Sequence, residues 1–189
     1  MKKNILFIVL IMIGLTSFGQ SNVQLTVKWN STNSQYEVYA KPSFTQSNFN
    51  LGASQISIVV PSSVADSKLT VTPIAGGTWS EEGVPVYAPA AQPANDFHPI
   101  TSAGAGINFT SGVETLLFTF TLPGGTCADG VRLFINNTDP SSSAAGMSGS
   151  DFKNSLEAGA GVEYYQSNYN NTGTQCNPCN ITAPELSKP

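Results

Sequence analysis

Apolar and polar residues alternate along several short stretches of the chain, and this period of two is typical of β-strands with one buried face. In the longest stretch, residues 113–122, the face predicted to point to the core carries Leu116, Phe118, Phe120 and Leu122, with Leu117 on the opposite face. Shorter stretches predict strands at 23–29, 36–40, 56–60, 69–71, 131–135 and 162–165. Clusters of Gly, Pro, Asn and Ser separate them. The sequence therefore predicts an all-β fold, a single antiparallel β-sandwich, with a barrel as the alternative.

Two connections differ from the short turns that join the other predicted strands. Residues 76–106 form a long, irregular stretch with several prolines, and connections of that length often carry function. Residues 141–150 are mostly small, and we predict a mobile loop there.

The chain begins with the features of a secretory signal peptide. Lys2 and Lys3 precede an apolar run at residues 5–15, and small residues at 17 and 19 predict cleavage before Gln20. The ending of this signal is similar in style to signals of bacteria that use type IX secretion. The predicted organisation is a signal peptide at 1–19, a β-sandwich domain at 20–175 and an extended tail with cysteine and proline at 176–189.

These features predict where the protein is found. We expect it to be secreted, either extracellular or on the cell surface, with the periplasm as the alternative. The apolar run of the signal is too short to span a membrane, which takes about 20 residues, so we do not expect a membrane-spanning protein.

The charge of the chain excludes some classes of partner. Only 11% of the 189 residues are charged, and 12 acidic against 8 basic residues give a net charge of −4. Phosphate backbones repel such a chain, so we expect no nucleic-acid partner. A hydrophobic content of 40% and an aromatic content of 10% exclude a disordered polyelectrolyte. The expected surface is neutral and polar.

Three successive stretches resemble a known family. A short strand with an aromatic residue (104–109) precedes a long strand (112–120), and a glycine-bounded loop leads to an apolar strand (130–135). This order resembles the second half of a cohesin-like β-sandwich, in the wider superfamily of cohesins and carbohydrate-binding sandwiches, and the resemblance extends over about residues 22–165. It implies a cohesin-like or immunoglobulin-like jelly-roll that binds and scaffolds and does not catalyse.

The residues from which a catalytic site is usually built are sparse. His98 is the only histidine, and no Gly-x-Ser-x-Gly turn presents a nucleophile to it. Glu81 and Glu82 are adjacent and precede a glycine, so we predict a solvated turn and not the paired carboxylates of a glycosidase. We expect His98 to lie in a loop without a catalytic role, and we expect no enzyme activity.

Calcium is the only cofactor that the sequence suggests, and it would be structural. Asn137, Asp139 and Asp151 flank the small-residue loop and offer the oxygen ligands that calcium prefers. Asn and Asp also favour turns because they bond to their own backbone, which is the alternative explanation.

Three cysteines, Cys127, Cys176 and Cys179, are present, and secretion permits disulfides. We predict that Cys127 is bonded to Cys176 or to Cys179, with a Cys176–Cys179 pair as the alternative.

Aromatic residues are the best indication of a binding surface. Rings exposed on a surface stack on sugars or anchor protein partners. The candidates in the long irregular stretch are Trp79, Tyr87 and Phe97, and a second group near the end of the sandwich contains Tyr164, Tyr165 and Tyr169. The alternative is that these rings cover the ends of the sandwich.

Two functions follow from these observations. The first is a non-enzymatic β-sandwich that contacts an extracellular or envelope protein, as an adhesion, scaffold or surface-assembly component. The second is a carbohydrate-binding module with a polysaccharide as its partner.

Overall fold

The computed structural model describes residues 21–159 and 161–176, so the predicted signal peptide and Cys179 lie outside the described residues. The described chain consists almost entirely of strands joined by turns. They are β1 Val23–Asn30, β2 Gln35–Pro42, β3 Gln46–Pro61, β4 Thr70–Pro73, β5 Asn95–Ser102, β6 Gly106–Phe109, β7 Thr115–Thr121, β8 Arg132–Leu133, β9 Ser155–Ala158, β10 Val162–Glu163 and β11 Tyr165–Asn168, with a short 3-10 turn at Pro123–Gly125. No helix among the described residues is long and apolar enough to cross a membrane.

The strands form two sheets, which confirms the predicted all-β antiparallel sandwich. One sheet has five strands in the order β11-β1-β2-β7-β4. The other has the order β10-β9-β3-β5, and the long strand β3 also pairs with β6 and β8. All pairs are antiparallel except β1 with β11, which run parallel.

The inward residues of both sheets form the main core, as the alternation predicted. On the five-stranded sheet, Tyr36 lies opposite Phe120 and Val38 opposite Phe118. The facing sheet contributes Ile56, Ile58 and Val60 from β3, and these side chains are at most 1% exposed. Burial of this apolar area drives the two sheets together.

One prediction about β7 is wrong. The register shifts between Val38 and Tyr39, so β7 has a bulge after Leu116. A bulge adds one residue and reverses the alternation beyond it. Leu117 is therefore fully buried in the main core, whereas Leu116 is half-buried opposite Tyr39.

A second, smaller core lies on the outer side of the sheet that contains β3 and β5. Val59 and Phe97 face outward there, and Phe134, Met147 and Phe152 pack over them. Residues 141–150 were expected to form a mobile loop, but Met147 is fully buried and the Ala91 N–H donates to the Ala145 carbonyl at 2.8 Å. Apolar burial thus anchors a loop whose small residues suggested mobility.

The open side of the sandwich, between β4 and β5, is closed by a buried carboxylate. Glu81 is 8% exposed. One of its oxygens accepts the backbone N–H of Leu69, next to β4, and the other lies 2.8 Å from Nδ1 of His98 in β5. The carboxylate therefore joins the two sheets. The predictions of a solvated turn at Glu81 and a loop position for His98 are wrong, because His98 lies within a strand and is 2% exposed.

The disulfide joins Cys127 to Cys176, which is one of the two pairings predicted for Cys127. It fastens the end of the described chain beside β8, where Thr174 donates its N–H to the Val131 carbonyl at 2.9 Å. Because disulfides persist in oxidising compartments, this bond indicates a protein outside the reducing cytoplasm.

We predict that Glu81→Ala lowers the free energy of unfolding by about 3–5 kcal/mol, since it leaves His98 and the Leu69 N–H buried without their partner. Chemical denaturation of the purified chain measures this change. Glu82→Ala is the matched control, because Glu82 is exposed, and we expect a change within about 0.5 kcal/mol. Equal effects of the two substitutions would contradict the bridging role.

Candidate functional site

Two of the six predicted binding aromatics lie inside the protein. Trp79 is 1% exposed, its ring packs on Phe118 with centroids 5.2 Å apart, and its Nε1–H donates to the Ala75 carbonyl at 2.8 Å. Phe97 is fully buried in the second core. These positions correct the prediction, because neither ring is available to a ligand at the surface.

Two more of these aromatics pack against other rings. Tyr164 is half-buried at the end of the sandwich, edge-on to Phe49 at 4.9 Å and tilted against Phe44 at 5.7 Å. Tyr87 stands edge-on to His98 with centroids 5.8 Å apart. Tyr164 thus fits the alternative prediction that the rings cover the end of the sandwich.

The remaining two, Tyr165 and Tyr169, point to different surfaces. The hydroxyl of Tyr165 donates to Oδ1 of Asn168 at 3.1 Å. The hydroxyl of Tyr169 donates to Oε1 of Glu114 at 2.8 Å, across the outer face of the five-stranded sheet. The group predicted around residues 164–169 is therefore divided among three places.

Tyr169 belongs to a cluster on the outer side of β1, β2 and the start of β7, which we call the tyrosine–lysine face. Each of its two tyrosines lies beneath a lysine and donates its hydroxyl to a carboxylate. Lys28 lies 4.8 Å from the Tyr39 ring centroid, and Lys41 lies 5.4 Å from that of Tyr169. The face consists of Lys28, Glu37, Tyr39, Lys41, Glu114 and Tyr169.

Strand register explains why these side chains meet. Lys28 lies opposite Glu37 on neighbouring strands. Tyr169 donates its N–H to the Leu25 carbonyl at 2.9 Å, so the parallel neighbour β11 carries Tyr169 to the side of β1. Thr26, which pairs with Tyr39, is fully buried although it faces outward, and its hydroxyl has no hydrogen-bond partner among the described residues.

Hydrogen bonds, an ion pair and the two lysine–ring contacts together link the face into one network. Tyr39 donates to Oε2 of Glu37 at 2.6 Å, and Lys28 forms an ion pair with Glu114. The hydrogen bond from Lys28 lowers the pKa of Glu114. Partial burial together with the nearby Glu37 carboxylate raises the pKa of Tyr39 to about 12. Burial and Glu114 raise the pKa of Tyr169 in the same way. Both phenols are therefore fixed as hydrogen-bond donors.

A second surface, the asparagine cleft, lies beside β8. Side-chain amides there take the place of a neighbouring strand, since an amide both donates and accepts. Asn171 accepts the N–H of Leu133 at 2.8 Å and donates to its carbonyl at 2.9 Å. Asn154 and Asn168 both donate to the Phe134 carbonyl, at 2.7 and 2.8 Å. The cleft is lined by Ile135, Asn136, Asn137, Tyr165, Gln166, Ser167, Asn168 and Asn171.

The predicted calcium ligands Asn137, Asp139 and Asp151 do line a common pocket beside the cleft. However, Arg132 donates to both carboxylate oxygens of Asp139, at 2.6 and 2.7 Å. Asp151 accepts the N–H of Lys153 at 3.1 Å, as in a turn. Within residues 21–159 and 161–176, no group of three His, Cys, Asp or Glu side chains is placed to hold a metal. Of the three predicted ligands, Asp139 is thus already paired with the guanidinium of Arg132.

No protein-family model matches this chain, and no curated protein or solved structure matches it. The cohesin-like resemblance thus stays a prediction. Of the six residues of this face, only Tyr169 was predicted from the sequence as a binding residue. The signal that was present for Lys28, Tyr39 and Lys41 is the polar side of the alternation in β1 and β2, which carries them.

We predict that Tyr39 ionises about two pH units above an ordinary tyrosine, with a pKa of about 12 against 10.0. Because the folded-state pKa is raised, the protonated phenol stabilises the fold below about pH 10 and this contribution is lost as the pH rises towards 12. Alkaline titration of tyrosinate absorbance measures it, and Tyr39→Phe identifies the step. Glu37→Gln is expected to lower the pKa. A Tyr39 step near pH 10, read as the difference between wild type and Tyr39→Phe, would contradict the network.

Proposed function

We propose that the chain is a secreted or cell-surface β-sandwich without enzyme activity that works by contact with another protein, as an adhesion, scaffold or surface-assembly component. The tyrosine–lysine face is the observation that carries this proposal. Tyrosines dominate the energetics of many protein interfaces because they offer a large contact area with a polar end. Tyr39 and Tyr169 lie on one sheet face, which is a rigid support for contact.

The order of this face favours binding. A partner that immobilises free side chains loses about 0.5–1.5 kcal/mol for each one. On this face the two tyrosine hydroxyls already donate to carboxylates at 2.6 and 2.8 Å, and a lysine lies over each ring. The side chains of the face are therefore largely ordered before the partner binds, so binding loses less conformational entropy.

The charges of the face indicate the kind of partner. Two lysines and two glutamates compensate one another, and Lys28 is paired directly with Glu114. Such a face exerts little long-range attraction on a charged molecule. We expect a protein surface that is polar or aromatic and carries little net charge, and an association rate that changes little with salt.

The environment of His98 supports a role without catalysis. The side chain is 2% exposed, and its Nδ1 is engaged by Glu81 between the two sheets. A general base must reach the proton that it removes from a substrate. The buried position of His98 suits a structural role instead, in which the residue helps to join the two sheets through Glu81.

The test is a comparison of binding by wild type and by the double variant Tyr39→Ala, Tyr169→Ala. Immobilised wild type is used to isolate the partner from the envelope proteins of producing cells, and the dissociation constant is then measured with the purified partner. We expect the double variant to bind at least about thirtyfold more weakly, as for hot-spot residues.

The matched control is Tyr87→Ala, a tyrosine outside the face, and melting temperatures establish that each variant is folded. We expect Tyr87→Ala to bind like wild type. Loss of binding by Tyr87→Ala alone, or equal binding by all three proteins, would refute the tyrosine–lysine face as the contact site.

Carbohydrate binding is a second candidate, favoured by the asparagine cleft. Amide and hydroxyl groups beside one tyrosine ring suit the hydroxyls of a neutral sugar. We predict that calorimetry with neutral plant and fungal oligosaccharides detects binding that Gln166→Ala weakens about tenfold or more, because Gln166 is an exposed residue of the lining. Gln175→Ala, an exposed glutamine outside the lining, is the control. An absence of heat with every sugar would exclude this candidate.

A further inference from the structure

Strands β5 and β6 form one interrupted edge of their sheet. Both run antiparallel to β3, with Ser102 opposite Ser54 and Gly106 opposite Asn50. Residues 103–105 interrupt the edge between them. The two halves of this edge differ in what covers them.

The β5 half is covered by the chain segment that follows β4. Ser80 and Thr101 exchange two backbone hydrogen bonds, of 3.0 and 2.9 Å. Val86 and Phe97 exchange another two, of 3.0 and 2.8 Å. The edge of β5 is therefore not available to another strand.

The β6 half is not covered. The backbone N–H groups of Ile74 and Ala75 both donate to the Leu117 carbonyl in the opposite sheet, at 2.9 Å each. Residues 74 and 75 therefore follow the other sheet at this point. Within the described chain, no backbone hydrogen bond joins residues 105–108 to residues 74–78. An open groove remains between the two segments.

The groove has small walls and carries no charge. Its lining consists of Ile74, Ala75, Gly76, Gly77, Thr78, Ala105, Gly106, Ile107, Asn108 and Thr115. Gly77 has a φ of +127°, and a Cβ there would lie 3.0 Å from Cα of Gly104, so close approach of the two backbones closes one end. At the rim, Ile74 is 55% exposed.

We propose that the β6 edge binds an extended strand of a partner protein, which adds to the sheet in this groove. The free backbone groups of an edge strand alternate between partial positive and partial negative charge, and another extended backbone is complementary to that pattern. The small walls leave room for a backbone. The uncharged lining and Ile74 select a neutral segment in which apolar side chains alternate.

This inference goes beyond the contact at the tyrosine–lysine face, because the groove shares none of the six residues of that face. The two sites are separable by mutation. Loss of Tyr39 and Tyr169 leaves the β6 edge intact, and obstruction of the groove leaves the face intact.

The experiment uses the full chain and, as its probe, a capped peptide of alternating threonine and valine. Hydrogen exchange followed by NMR measures protection of each backbone amide. We expect the peptide to slow the exchange of some amides of residues 105–108 by about tenfold or more at saturating peptide. The same peptide with every backbone nitrogen methylated keeps its side chains but lacks its donors, and we expect it to give no protection.

Two substitutions of exposed alanines complete the test. Ala105→Trp fills the groove and is expected to weaken peptide binding about tenfold or more. Ala103→Trp is the matched control, since Ala103 is exposed in the same connection but does not line the groove. Tyr39→Ala, Tyr169→Ala is expected to bind the peptide like wild type. No protection of residues 105–108, or equal protection by the methylated peptide, would overturn the proposal.

Discussion

The carboxylate of Glu81 makes hydrogen bonds to both sheets of the sandwich, and the arrangement of one whole side of the molecule depends on it. It holds the segment after β4 against His98 in β5, next to the position where Trp79 enters the core. A charged group is costly to bury unless each oxygen has a partner, and here both have one. The segment that this contact holds covers the β5 edge through its own backbone hydrogen bonds, and the β6 edge stays open where residues 74 and 75 bond to the other sheet.

The strands were predictable because one face of each is buried, so the period of two is present in the sequence itself. The bulge in β7 was not, since Leu116 and Leu117 are equally apolar and only the pairing with β2 decides which one enters the core. Glu81 and His98 are 17 residues apart, and no local pattern shows that the segment after β4 pairs with β5 and brings them together. Long-range pairing, and not propensity, determines these features.

The same limit applies to the candidate binding surfaces. Aromatic residues in an irregular stretch suggest exposure, yet Trp79 is needed to fill the open side of the core and Phe97 has a second core above it. Tyr39 was visible as an outward residue of β2. Its association with Tyr169 arises from the parallel pairing of β11 with β1, which brings together residues distant in the chain. Binding surfaces of this kind are set by sheet order, and the sequence alone predicts only their composition.

The claim that the tyrosine–lysine face contacts another protein is tested most directly by amine cross-linking on intact producing cells. Among the described residues, Lys28 and Lys41 belong to the face, whereas Lys68 and Lys153 lie outside it and are exposed. We expect cross-links to another protein to come mainly from Lys28 and Lys41, with one partner recurring at both. Cross-links confined to Lys68 or Lys153 would contradict it.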